Sequence, residues 1–279
     1  MALTGEQVKG RIKNLAKIHK ADARVLMRIY MMERFLERMA ASDYKENFII
    51  KGGILVTSML GVSMRSTMDI DTSIQNLKLS EKEALDIILE IVDIDLHDGV
   101  IFNAKNVSII MDEMEYPGIR ISIDAILDGL VTAIKLDIST GDAITPRAIE
   151  YDYKLLFENR SIKLWSYNLE TILAEKIQTI LARSILNTRM RDFYDVYSLS
   201  SCYESNINPS IFRQAFISTC NQRKTIELLT VGNESMELLK KDTTLNNLWN
   251  AYQNKYDYAR EIKFEDAIDR VIRIYDMIK

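Results

Sequence analysis

The stretch Phe48–Ile74, FIIKGGILVTSMLGVSMRSTMDIDTSI, decides how the rest of the chain is read. An apolar run is broken by Gly52 and Gly53, and Asp69 and Asp71 follow inside what otherwise has the pattern of a strand. Aspartate is a poor strand residue, so a pair of them at i and i+2 needs a cause. We read Phe48–Lys51 as a short strand, the glycines as a tight turn, Ile54–Leu60 as a helix and Ser66–Ile74 as a second strand. Alternate side chains of a strand share a face, which predicts Asp69 and Asp71 on one side with Met68 and Ile70 in the core. Two carboxylates roughly 7 Å apart along a strand repel each other unless the face is open or a cation bridges them. Mg²⁺ takes few protein carboxylates and leaves room for phosphate oxygens.

The same alternation test applied to VTAIKLDIS, residues 131–139, puts Thr132, Ile134, Leu136 and Ile138 on one face. Asp137 then lies on the other, polar face with Lys135 beside it. If this strand neighbours the first, three carboxylates converge, as in two-metal phosphoryl transfer. Arg120, Ser122 and Asp124 alternate outward on the preceding hairpin and compete for that assignment. A Gly-Gly turn opening a helix lets backbone approach a ligand and points free N–H groups at an anion. The plainer readings, a simple turn and surface acids, stand beside these.

The 279 residues suit two domains; 47% are hydrophobic and 27% charged, as in globular proteins. The absence of a long apolar run predicts no membrane span, and MALTGEQVKGRIKNLAKIHK has no secretory core, so a cytoplasmic location is expected. Two cysteines and two histidines make a zinc site or a disulfide framework a poor reading. The net charge is −4, yet residues 9–28 and 159–191 carry local basic excess, able to meet a polyanion or to form solvated helix faces.

Periodicity predicts helices over 5–19 and 21–41, and one N-capped by Ser80 that ends near Asp93. Val107–Glu113 and Ile119–Ile126 flank Tyr-Pro-Gly as a hairpin, and Val131–Ser139 adds a strand. From Asn168 the pattern turns helical, over 169–185, 189–200, 209–220, 222–230, 233–240, 243–254 and 264–278. The expected class is α+β, a mixed sheet flanked by helices followed by an all-α domain. The boundary falls near 155–166 and divides the chain into residues 1–160 and 161–279.

KGG at 51–53, MDID at 68–71 and KLDIS at 135–139 together resemble the nucleotidyltransferase superfamily related to DNA polymerase β. LETILAEKIQTILARSILNTRMRDFYDVYSL, residues 169–199, with RSTMDID at 65–71, resembles the AbiEii/AbiGii toxin family of abortive-infection systems. The resemblance implies a catalytic domain in the first part and a helical domain contributing to the active-site cleft. It implies an NTP-using, Mg²⁺- or Mn²⁺-dependent toxin acting in phage defence, some relatives of which add nucleotides to tRNA. It also implies an antitoxin encoded nearby, with direct binding left open. Carried onto this chain, Lys51, Gly52, Gly53, Ser66 and Thr67 line the nucleotide. Asp69 and Asp71 hold the metal, and Asp137 completes the site or acts as base. Lys176 and Arg183 meet the triphosphate, while Asp192 or Asp195 positions the reacting groups. Many superfamily members carry Ser where this chain has Gly53.

Read physically, Lys176, Thr179 and Arg183 share one face of the helix 169–185, and Asp192 and Asp195 share a face of the next. These residues suit either phosphate binding or an interhelical salt-bridge set. Three functions fit the sequence. One is a nucleotidyltransferase toxin acting on tRNA or another RNA, with GTP or a pyrimidine NTP as donor. The second is an enzyme modifying a small molecule, such as an aminoglycoside. The third is an NTP-binding module without transfer activity. Nucleotidyl and phosphoryl transfer use the same apparatus and are not separable by motif.

Overall fold

A computed structural model describes residues 3–77, 80–110 and 118–278, without the side chain of residue 233. The chain forms two compact units. The first comprises residues 1–141 and 149–166, and the second residues 142–148 and 167–279. The first unit therefore reaches six residues past 160, because a strand that the sequence pattern hides fills 161–166.

Two helices precede the sheet of the first unit and two more interrupt it. Helix α1 (Gly5–His19) opens with a capping box between Thr4 and Gln7. Helix α2 (Ala23–Ala41) is capped by Asp22 and buries a long apolar face that includes Leu26, Ile29, Met32, Phe35, Leu36 and Met39. Strand β1 (Phe48–Lys51) runs directly into α3 (Gly52–Leu60), so both glycines belong to the helix start rather than to a separate turn. Strand β2 covers only Ile70–Ile74, and Ser66–Asp69 precede it. Met68 is accordingly 37% exposed instead of buried, because it never enters the pleat. Helix α4 (Glu81–Val92) has the expected capping box, formed by Ser80 and Glu83.

Strand β3 (Val100–Ile110) begins seven residues before the expected 107, and it pairs with β4 (Gly118–Leu127). The Tyr-Pro turn of that hairpin, and the expected strand end at 111–113, lie outside the described residues. An Asp128-Gly129 turn, both residues at positive φ, joins β4 to β5 (Leu130–Thr140). Strands β6 (Ile149–Lys154) and β7 (Ser161–Ser166) complete a seven-stranded mixed sheet in the order β3-β4-β5-β2-β1-β7-β6. Strand pairs β2–β5 and β1–β7 are parallel. Ile119, Ile121, Ile123, Ile134, Leu136 and Ile138 make the buried face under α2 and α4, and the opposite face of β3–β5 carries the polar alternates.

The second unit is helical: α5 (Leu169–Arg183), α6 (Met190–Tyr203), α7 (Pro209–Gln222), α8 (Leu228–Lys241), α9 (Thr243–Lys255) and α10 (Phe264–Asp276). The two short helices expected at 222–230 and 233–240 are one, α8, because the break falls earlier, at the turn before Leu228. Phe193, Phe212, Phe216, Trp249 and Phe264 are buried in its core, and Trp249 Nε1 donates to the Ile262 carbonyl at 2.8 Å.

Candidate active site

Strand pairing places four charged residues on one row of the sheet. Lys51 on β1 stands opposite Asp71 on β2, Asp71 opposite Asp137 on β5, and Asp137 opposite Arg120 on β4. Directly opposed residues share a face and lie closest across strands. The expected neighbourhood of the strands carrying Asp71 and Asp137 is therefore present, and its charge order is + − − +.

Asp71 is the best-anchored member. Its Oδ2 accepts a hydrogen bond from the Gly53 backbone N–H at 3.0 Å. Burial raises its carboxyl above the ordinary aspartate range; the Gly53 N–H and Lys51 oppose that rise, and Asp137 and Asp69 add to it. The Gly53 N–H expected to face phosphate is thus engaged by a carboxylate, and this ties the start of α3 to β2. Gly52 has φ +57°, and a Cβ there would fall inside 3.0 Å of Asp71 Oδ2, Cγ and Cβ. Glycine is required at 52 on both counts. A Cβ on Gly53 would fall inside 3.0 Å of Thr67 Oγ1. The serine common in the superfamily has no room here, and the Thr67 hydroxyl occupies that neighbourhood instead. Thr67 is buried and donates to the Asp69 carbonyl at 3.3 Å. Arg65, also buried, lies near Gly53 and bonds the Ser66 carbonyl. Ser66 is partly buried in the same segment.

Asp137 is held by Arg120 in a two-point contact, Nε to Oδ1 at 2.7 Å and Nη2 to Oδ2 at 2.6 Å. Lys135, the neighbour expected to matter, is exposed, one register step away opposite Ser122. Asp124, the other acid on that face of β4, pairs with Lys105 at 2.5 Å. Among the described residues no group of three or more Asp, Glu, His or Cys side chains is gathered closely enough to hold a metal ion. The expected convergence of Asp69, Asp71 and Asp137 into one ligand set is therefore not assembled. Asp69 sits ahead of the strand, outside the alternation that was to align it, and Asp137 is turned to a guanidinium. The donors themselves, carboxylate oxygens beside a repelling neighbour, have the chemistry that a hard divalent cation accepts.

The second unit holds a separate cluster. Lys176 Nζ lies 3.2 Å from Asp192 Oδ1 and 2.6 Å from Asp195 Oδ2, and Arg189 Nε lies 2.8 Å from Asp192 Oδ2. The carboxylates are buried and the lysine is nearly so. The interhelical salt-bridge reading of these residues is thus realised, and it fixes Lys176 in one place. Thr179 does not share that environment: it accepts from Arg223 Nη1 at 3.0 Å, and Arg223 also pairs with Glu175. Arg183 is exposed at the last turn of α5.

The basic excess over 159–191 is largely neutralised in place: Arg160 pairs with Glu37 and Glu158, Lys163 with Glu150, and Arg189 with Asp192. In the run 9–28, Lys9 and Arg24 have acidic partners, while Arg11, Lys13, Lys17 and Lys20 are exposed.

Sequence reading placed Arg120 on the outward face but missed its bond to Asp137. A signal existed. The Asp-Gly turn sets Leu127 opposite Leu130, and counting back along both strands puts Arg120 opposite Asp137.

The family model described as nucleotidyl transferase AbiEii toxin, type IV TA system, matches residues 34–270. No curated protein sequence matches the chain. Two crystal structures from Helicobacter pylori, a candidate nucleotidyltransferase and JHP933, each superpose with a TM-score of 0.50 at 15% identity. Both cover 92% of this chain, and the match spans 97% and 94% of those chains respectively. At that identity the likeness shows the fold, which is nucleotidyltransferase-like.

Proposed function

This chain belongs to the AbiEii nucleotidyl transferase toxin family of type IV toxin–antitoxin systems, and from that premise we propose that it transfers a nucleotide from an NTP to tRNA or another RNA and so arrests growth. The observation that carries the reading is the Asp71–Asp137 pair, in register on adjacent strands beside a glycine-opened helix.

Asp69 and Asp71 would hold Mg²⁺ or Mn²⁺, with Asp137 joining them or accepting the proton of the attacking hydroxyl. Such a cation would neutralise charge on the phosphates and align the leaving group. Lys51, Gly52, Ser66 and Thr67 would border the triphosphate. Gly53 itself serves by holding Asp71. Within the helical unit, Lys176, oriented by Asp192 and Asp195, would be a fixed positive charge able to meet an anion, and Arg183 a mobile one. A partner antitoxin follows from the family's place in a two-component system. The exposed cations of α1 favour an anionic acceptor over a cationic drug, which would call for an acidic surface.

Induced expression in a cell lacking the antitoxin tests the proposal. The wild-type chain should stop growth and Asp69→Ala should permit it. Full toxicity of Asp69→Ala, at matched protein level, would end the metal-dependent reading.

A further inference from the structure

We propose that Arg120 is the resident cation of the carboxylate pair, and that a divalent ion must displace its guanidinium from Asp137 before that carboxylate joins the metal site. The inference rests on the metal-dependent reading above and goes beyond it in naming a competitor built into the sheet.

Geometry carries it. Both oxygens of Asp137 are engaged by the fork of Arg120, at 2.7 and 2.6 Å, so an incoming cation meets only their outer lone pairs, beside a positive charge that repels it. The contact is set by strand register, not by a mobile loop, and Asp71 stands in the next strand of the same row. Arginine does not lose its proton in a protein, so it leaves only by moving. Its side chain is 36% exposed, whereas that of Asp137 is 17% exposed, so the guanidinium has a path to water. Water can take over the hydrogen bonds of a guanidinium this exposed, which makes the exchange reversible. Asp124, the nearest acid on the same face of β4, is already held by Lys105 and offers no strong alternative seat.

A Mn²⁺ titration of the full chain, followed by the electron paramagnetic resonance of the free ion, separates the possibilities. Arg120→Gln should bind Mn²⁺ several-fold tighter than wild type, roughly 3–10-fold, as expected when a partly exposed ion pair no longer competes. Arg120→Lys, which keeps charge but loses the fork, should show a smaller gain, and it stands in if the glutamine variant does not fold. The gain should vanish in Arg120→Gln/Asp137→Asn. Equal or weaker binding by both folded Arg120 variants, beside a wild type whose binding is lost in Asp69→Ala, overturns the competition alone. No Mn²⁺ binding by wild type or either Arg120 variant overturns both the competition and the metal-dependent reading.

Discussion

At the scale of single residues, Gly53 and Thr67 act as one unit. The superfamily's serine is missing at 53, and the volume it would need is taken by a threonine from the segment before β2. Restoring the serine should therefore harm the protein. We predict that Gly53→Ser lowers the melting temperature by several degrees, corresponding to an overpacking cost of about 1–3 kcal/mol. Adding Thr67→Ala, which removes the closest contact, should recover part of the loss. Thermal melts followed by circular dichroism check this, and a Gly53→Ser variant as stable as wild type would show that the segment yields. The departure at 53 was legible in the sequence. Its compensation was not, because residues fourteen positions apart meet only once the helix start is folded against that segment.

At the scale of elements, what the sequence pattern disclosed and what it hid have physical reasons. Helices with side-chain caps, such as α1, α2, α4 and α5, were readable because a polar cap followed by apolar periodicity is a local signal. Strands β6 and β7 were hidden because IEYDYK and SIKLWS mix charge into short runs, and their pairing with each other and with β1 is a tertiary fact. The register of β4 on β5 was available from the Asp-Gly turn. The late start of β2, at Ile70 instead of Ser66, was not, and it moved Asp69 off the pleat.

Helix α2 carries a second element-scale consequence. Glu33 is 1% exposed and accepts from the Leu156 N–H at 2.9 Å through Oε1, while Oε2 has no hydrogen-bond partner among the described residues. Burial pushes its carboxyl up to about 8; the Leu156 N–H and Arg34 pull it down, while Glu37 and Glu158 push it further. Because the folded value lies above the ordinary one, the native state holds a proton that the unfolded chain releases. Stability is full below the ordinary carboxyl range and falls as pH rises toward 8. Glu33→Gln keeps the acceptor without the charge and should remove this slope. Between pH 5 and pH 8 the wild type should lose on the order of 2–4 kcal/mol relative to the variant. Urea melts at the two pH values measure it, and parallel pH dependence of both proteins would show that Glu33 is ionised in the fold.

At the scale of the whole molecule, a sheet-bearing unit carries the carboxylate row, and a helical unit carries a lysine fixed by two aspartates. No helix among the described residues is long and apolar enough to cross a membrane. The family and the nucleotidyltransferase-like fold were legible because glycines, paired acids and the R-x-R-D-x-Y-D-x-Y run are strong patterns with fixed spacing. The donor base and the acceptor were not, since both depend on pocket shape and surface instead of motif. The most direct test of the account incubates the purified protein with total cellular RNA, Mg²⁺ and each α-labelled NTP in turn, alongside Asp71→Asn. The account predicts that label from one NTP, or a narrow set, enters RNA, that chelating the metal abolishes it, and that Asp71→Asn reduces it by about a hundredfold or more. Label in no RNA fraction with any NTP, or undiminished labelling by Asp71→Asn, would contradict it.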